Sequence, residues 1–239
     1  AANLAAINAA LASTPVIGTS ADTQAETQAI VDAYKAIIAE ANGATADATQ
    51  SDPTAADYAA IGANLGAAAT DAETLALLND IIGNKTAAEI DTPAELTALA
   101  DIANRIAATA AGLTATPALT AADLAAAGLT GVTAATLPAV LAAIAATPDD
   151  GTGIDSLSEL QTVASQGAAA AAAAQSSLAA YAEANSGTAP AIADYTTAGN
   201  IGVDAGNLRA VHAALASPQV TRRADDTAAD DPGNIDAGR

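Results

Sequence analysis

Cysteine, methionine, tryptophan and phenylalanine are all missing from the 239 residues, and four tyrosines supply the only aromatic area. The absence of cysteine excludes disulfides, thiol nucleophiles and thiolate metal sites. The lack of large aromatics excludes a thick aromatic core. Basic residues are scarce too: seven Lys and Arg stand against 27 Asp and Glu, for a net charge of −20. Such a field repels nucleic acid and anionic membranes and favours cationic partners such as calcium, magnesium or a basic surface. No long apolar run occurs. The alanine stretch from Ala168 to Ala174 is too short and too weakly apolar to span a bilayer. Nothing reads as a signal peptide, so a soluble segment without membrane insertion is expected.

What the chain does have is alanine, which makes up much of its 51% apolar share. Alanine is the best helix former and loses no side-chain entropy, but it buries little area. Thin layers of closely packed helices, with sparse Leu, Ile and Val as knobs, are the natural outcome.

The sequence repeats itself. Asn3–Ser13 and Asn207–Ser217 are identical at eight of eleven positions, with weaker copies around Leu75 and Leu137. The anchor leucines Leu4, Leu75, Leu137 and Leu208 are 71, 62 and 71 residues apart. A second marker, Asp-Thr/Ser-x-x-Glu, begins at Asp22, Asp91 and Asp155, with a degenerate copy at Asp226. A third is the Thr-Ala-Ala-Asp run of Thr54–Asp57 and Thr120–Asp123, echoed by Ile192-Ala-Asp194-Tyr195. Three markers recurring in one order at a common period define tandem units.

Each marker has a physical job. Thr23/Glu26, Thr92/Glu95 and Ser156/Glu159 have the spacing of capping boxes, and Thr54/Asp57 and Thr120/Asp123 repeat it with Asp. Pro93 fits a first helical position. Gly128 and Gly199 suit left-handed caps ending the short helices. Helical apolar spacing follows the caps, as in Leu96, Leu99, Ile102 and Ile106, and in the stripes Leu4-Ile7-Leu11, Leu75-Leu78-Ile82, Leu137-Val140-Ile144 and Leu208-Val211-Leu215. One unit therefore reads as a long helix, a short helix, a glycine turn and a Leu-anchored helix. The predicted fold is all-α: tandem repeats of about 62–71 residues with three helices each, as a bundle array or a solenoid. The expected boundaries are 1–13 for the end of a preceding repeat, 14–83, 84–147 and 148–217 for three units, and 218–239 for a degenerate further start or a disordered tail. Ala1 aligns with Ala205, so the chain is expected to be a fragment opening inside a repeat.

Candidate chemical sites are few. His212 is the only histidine, and its counterparts Asn8, Asn79 and Leu141 show that the repeat does not require imidazole. It reads as a solvent-side helical residue, with no Ser or Asp placed beside it for a triad. Asp22/Glu26, Asp91/Glu95 and Asp155/Glu159 are paired carboxylates, but recurrence in every unit fits capping better than a single hydrolytic site. Asp149, Asp150 and Asp155 form the one candidate calcium loop. EF-hand register fails, because counting back from Glu159 puts Pro148 first. Calcium is thus the sole cofactor left open, and no cofactor or small-molecule substrate is otherwise expected. Gly128/Gly131 and Gly199/Gly202 lack the strand and lysine of a phosphate loop. Asn84-Lys85-Thr86 is a bare glycosylation sequon.

Two phrases, Asp194–Val203 and Gly206–Val211, followed by Asp-Thr-x-x-Glu, resemble the helical repeats of giant bacterial surface proteins, the large repetitive or RTX-type adhesins. The resemblance runs to Ser217. It implies a secreted, cell-surface location and a stalk or matrix role, with no ligand residue carried over. The expectation is a non-enzymatic stalk or spacer whose partners are neighbouring repeats or copies of itself. A self-assembling subunit of an extracellular filament, sheath or surface layer is the alternative.

Overall fold

The computed structural model describes residues 2–43, 52–147, 154–184 and 188–217. These residues are all-α. They form ten α-helices and no strand, and their one extended pairing is an isolated bridge between Asn42 and Thr86. The helices are α1 (Ala2–Leu11), α2 (Gln24–Glu40), α3 (Ala55–Ala60), α4 (Ala72–Gly83), α5 (Pro93–Ala110), α6 (Ala121–Ala127), α7 (Leu137–Ala145), α8 (Leu157–Ala184), α9 (Ile192–Thr197) and α10 (Leu208–Leu215). From α2 onward the lengths run 17, 6 and 12 residues, then 18, 7 and 9, then 28, 6 and 8. A long, a short and a medium helix recur in that order.

The helix starts are fixed locally. In α2, α3, α5 and α6 the N-cap threonine hydroxyl accepts the amide three residues on, and the acid there accepts the threonine amide in return. Before α9 the cap is Ala191, which has no hydroxyl, so only Asp194 acts, accepting the Ala191 amide at 2.6 Å. The medium helices α7 and α10 carry a reciprocal cap of another kind, whereas at α4 the Asp71 side chain alone accepts the Glu73 amide. Thr133 and Thr136 exchange amide-to-hydroxyl bonds of 2.9 and 3.2 Å ahead of α7, and Asp204 and Asn207 do the equivalent ahead of α10.

The short helices end alike. Gly62, Gly128 and Gly199 have φ of 81°, 108° and 83°, where only glycine is unstrained. The next amide then folds back to the helix: Ala63 to Tyr58, Leu129 to Leu124 and Asn200 to Tyr195, at 3.0, 2.9 and 2.8 Å.

The chain divides into two compact units, Ala1–Thr130 with Ile144–Thr162, and Gly131–Ala143 with Val163–Arg239. In the first, α2 packs with α1 and α3, and α4 with α5. Its core is built from Ile30, Tyr34, Ile37, Tyr58, Ile61, Leu77, Leu78, Ile81, Ile82, Leu96 and Ile106, all buried. Each such side chain contributes about 1.5–3 kcal/mol of transfer free energy. The Tyr34 hydroxyl donates to the Ile90 carbonyl at 2.9 Å, so its polar end is satisfied. Backbone joints tie each turn to the next long helix. The Asn64 amide donates to the Thr97 hydroxyl and the Thr130 amide to Gln161, both at 2.9 Å. Asn104 holds the 3-10 turn Gly66–Ala69 by accepting from the Ala68 amide and donating to the Leu65 carbonyl. Asp80 on α4 accepts the Leu157 amide at 2.9 Å and so caps the start of α8.

The apolar stripe expected on α1 is corrected. Leu4 is 64% exposed, and the residues buried are Ala6 and Ala10, at 1% and 0%. The helix packs with α2, and Ile7 and Leu11 are half-buried, so the buried face is turned from the leucine stripe toward the alanines.

In the second unit α8 buries a stripe of Ala164, Gly167, Ala171, Ala174, Leu178 and Ala182, spaced three and four apart. Gly167 is set by contact: a Cβ there would lie 2.6 Å from the Val140 Cα and 2.8 Å from the Ala139 carbonyl oxygen. At its other end the unit closes a small core of Leu178, Ala182, Tyr195 and Leu215, flanked by Tyr181, Ala198, Val203, Leu208 and Val211.

Candidate functional site

The recurring carboxylates are engaged in capping. One oxygen of Glu26 accepts both the Thr23 amide at 3.0 Å and the Thr23 hydroxyl at 2.9 Å, and Glu95 does the same with Thr92 at 2.9 and 2.9 Å. Ser156 donates its hydroxyl to Glu159 at 2.9 Å and accepts the Glu159 amide at 3.3 Å. The bond from Thr23 holds Glu26 below the ordinary glutamate range, whereas the hydrogen bond to Glu26 and its negative charge push Asp22 up. Asp155 is likewise raised by Glu159, and Glu159 lowered by Asp155 and Ser156. In both of these pairs the Glu carboxylate is occupied by the donors of the helix start.

Of the candidate calcium loop, Asp149 and Asp150 lie outside the described residues, and Asp155 is turned to Glu159. The tail 218–239, read as degenerate, also lies outside them. Among the described residues no three acidic or histidine side chains converge as metal ligands. In the first compact unit a shallow cavity of about 240 Å³ is lined by Asp71, Glu73, Thr74, Asn104, Leu113 and Ile154. Its carboxylate Asp71 accepts the Glu73 amide at 3.1 Å and the Thr74 hydroxyl at 2.8 Å, and its amide Asn104 holds the Gly66–Ala69 turn. Asn84 of the sequon is half-buried, with its side-chain amide 2.5 Å from where a Gly128 Cβ would stand.

Two polar clamps escaped the sequence reading. Buried Tyr58 donates to the Asn79 side-chain oxygen at 2.6 Å, and Asn79 donates to the Pro53 carbonyl at 3.0 Å. Tyr195, His212 and Pro190 occupy the corresponding places near the end of the chain. His212 Nε2 lies 2.9 Å from the Pro190 carbonyl, which can only accept, so Nε2 carries the proton. The ring packs against Tyr181 and Tyr195, with centroids 5.6 and 6.1 Å away. His212 is therefore half-buried and holds the start of the short helix, which corrects its reading as a solvent-side residue. Asn79 bonds both the tyrosine and the proline carbonyl, whereas His212 bonds the proline carbonyl and stacks on the tyrosine ring. The buried Tyr195 hydroxyl has no partner among the described residues. In the middle copy the same positions are Leu119, Leu124 and Leu141, an apolar substitute. The available signal was the proline five residues before each tyrosine.

Arg105 on α5 grips Asp123 on α6 with two bonds of 2.9 Å each. The guanidinium, with help from the Thr120 cap, holds the Asp123 carboxyl well below the ordinary range. No helix among the described residues is long and apolar enough to cross a membrane. What recurs among the described residues is a joint, a cap or a clamp. No protein family, curated protein or solved structure matches the chain.

Proposed function

We propose that this chain is a structural segment: a stalk or spacer, built of tandem three-helix units, from a large secreted bacterial cell-surface or adhesin-like protein. The observation that carries the reading is the threefold recurrence of one element order, with a Thr or Ser hydroxyl capping each long helix against a Glu three residues on and the same fold-back bond after the short ones. The units are those of residues 14–83, 84–147 and 148–217. In a repeat array each unit contacts its neighbours, and length grows by adding copies. The recurrent carboxylates serve the backbone, which supports a mechanical role over an enzymatic one. The net charge of −20 suits an exposed surface that must not stick to nucleic acid or anionic lipid.

The test is to insert one and then two further copies of residues 84–147 after Thr147 and measure the maximum dimension by small-angle scattering, with calcium and with chelator. A spacer lengthens by equal increments, and an unchanged profile in chelator removes calcium from the account. Insertions that leave the dimension unchanged, or that unfold the chain, contradict the reading. The alternative reading is a self-assembling subunit of an extracellular filament, sheath or surface layer, which the same scattering series would reveal as growth of the particle with protein concentration.

A further inference from the structure

We propose that Asn42–Gly43, at the end of α2, is a site of spontaneous covalent modification, at which the peptide cyclises to a succinimide and reopens as aspartate or isoaspartate, at a pace set by one hydrogen bond to α4. The chain has eleven asparagines, and this one alone precedes a glycine. The Gly43 amide nitrogen, as it gives up its proton, attacks the side-chain carbonyl carbon of Asn42. The new C–N bond closes a five-membered imide, and the side-chain nitrogen leaves as ammonia. Water then adds to one of the two imide carbonyls and breaks its C–N bond. Breaking the bond at the side-chain carbonyl gives aspartate. Breaking the one at the main-chain carbonyl gives isoaspartate, whose main chain runs through the former side chain. Water is the only co-reactant.

The surroundings leave room for the reaction. Asn42 and Gly43 are both exposed, and a Cβ on Gly43 would meet nothing within 4 Å. The backbone asks for the glycine but not for the asparagine. Gly43 and Gly112 stand the same distance past the cap glutamates Glu26 and Glu95, with φ of 81° and 71°. The residue before Gly112 is Ala111, which has no amide to lose.

What differs between the two glycines is the partner of the main-chain amide. Gly112 donates within its own helix end, to the Thr109 carbonyl at 3.0 Å. Gly43 instead donates to the carbonyl of Gly83, the last residue of α4, at 2.8 Å. A nitrogen whose hydrogen is held there neither loses its proton nor turns toward the Asn42 side chain. The bridge between Asn42 and Thr86 adds to the hold. The reaction therefore waits on a local opening that lifts the end of α2 from α4, which costs less than unfolding the whole chain.

The product does not restore the joint. The Asn42 side-chain amide donates to the Ala39 carbonyl at 3.4 Å, and a carboxylate cannot. That carboxylate also stands at the negative end of the α2 dipole, two residues from Glu40. Isoaspartate lengthens the main chain by a methylene and carries the Gly43 amide out of register with Gly83. Each event thus removes the bond that delayed it.

The test holds the full chain at mildly alkaline pH, folded and in concentrated urea, and follows every asparagine by tandem mass spectrometry that separates aspartate from isoaspartate. In the folded chain Asn42 converts first, chiefly to isoaspartate. Its conversion is at least about tenfold slower than in urea, the factor that an opening free energy of roughly 1.4 kcal/mol imposes. Asn42→Gln, which would have to close a six-membered ring, keeps the helicity and stays unmodified at that position. Glu89→Ala frees the exposed turn beside the bridge, where Glu89 accepts the Thr86 amide and hydroxyl at 2.9 and 2.8 Å. It speeds conversion in the folded chain and leaves the rate in urea unchanged. Equal rates folded and in urea, another asparagine converting before Asn42 in the folded chain, or a folded rate that Glu89→Ala leaves unchanged overturns the inference. So does an intact Asn42 in the folded chain after the urea sample has fully converted.

Discussion

Arg105 and Asp123 join a long helix to the short helix that follows it, and both side chains are largely withdrawn from water. Replacing Arg105 by Ala removes two charge-assisted bonds and should destabilise by about 1–3 kcal/mol in a denaturant titration. The pH dependence has a definite sign. Asp123 is depressed in the folded state, so its stabilisation is complete above the unfolded value near 3.9 and drains away as pH falls below it. Arg105→Ala should flatten that acid limb. The tyrosines act at the other end: burial raises Tyr34 and Tyr58, so their contribution holds below about pH 10 and fades above it. The Asn79 clamp yields a sharper contrast. Asn79→Ala strands the Tyr58 hydroxyl and the Pro53 carbonyl and should cost about 2–3 kcal/mol. Tyr58→Leu combined with Asn79→Leu, which copies Leu124 and Leu141 of the middle unit, should recover at least half of that in the same titration. The clamp was hard to read because single residues show no partner until a fold brings Pro53, Tyr58 and Asn79 together. Gly62 was missed for another reason: the residues after it, Ala63 and Asn64, do not copy those after Gly128 and Gly199.

At the scale of elements, the helix starts were the most legible feature, because a cap is written within four adjacent residues. Thr23/Glu26 and Thr92/Glu95 carry that signal alone, without tertiary help. The caps of the medium helices were passed over because Thr133/Thr136 and Asp204/Asn207 depart from the Thr-x-x-Glu form. Helix faces were less legible. Leucines mark a core stripe by area, but α1 packs through Ala6 and Ala10, where closeness of backbones outweighs side-chain size. Gly167 is the same principle taken further. A helix interior prefers alanine to glycine by about 1 kcal/mol. Even so, Gly167→Ala should destabilise by about 1–3 kcal/mol, because the new methyl meets backbone atoms of Ala139 and Val140 that cannot move alone. Thermal unfolding followed by circular dichroism would check it, and a rise in Tm would mean that α7 and α8 are not in contact at that point.

At the scale of the whole molecule, the sequence makes the all-α class legible through composition, caps and periodicity together. The joints were not legible, since Asn64–Thr97 and Thr130–Gln161 pair residues tens of positions apart, and Asp80–Leu157 links the segment 14–83 to the segment 148–217, past the one between them. The proposed exchange of units rests on the first two, in which α5 and α8 each receive the amide of the preceding turn at the same position. The central claim is therefore that one unit can stand for another. Deleting residues 84–147 brings α4 in front of α8, in the place of α7. Circular dichroism during thermal unfolding of that deletion, alongside the full chain, is the most direct test. The account predicts a shorter chain with the same helicity per residue and a cooperative transition, its Tm within several degrees of the parent's. A non-cooperative melt, or loss of helicity well beyond the deleted helices, would contradict it.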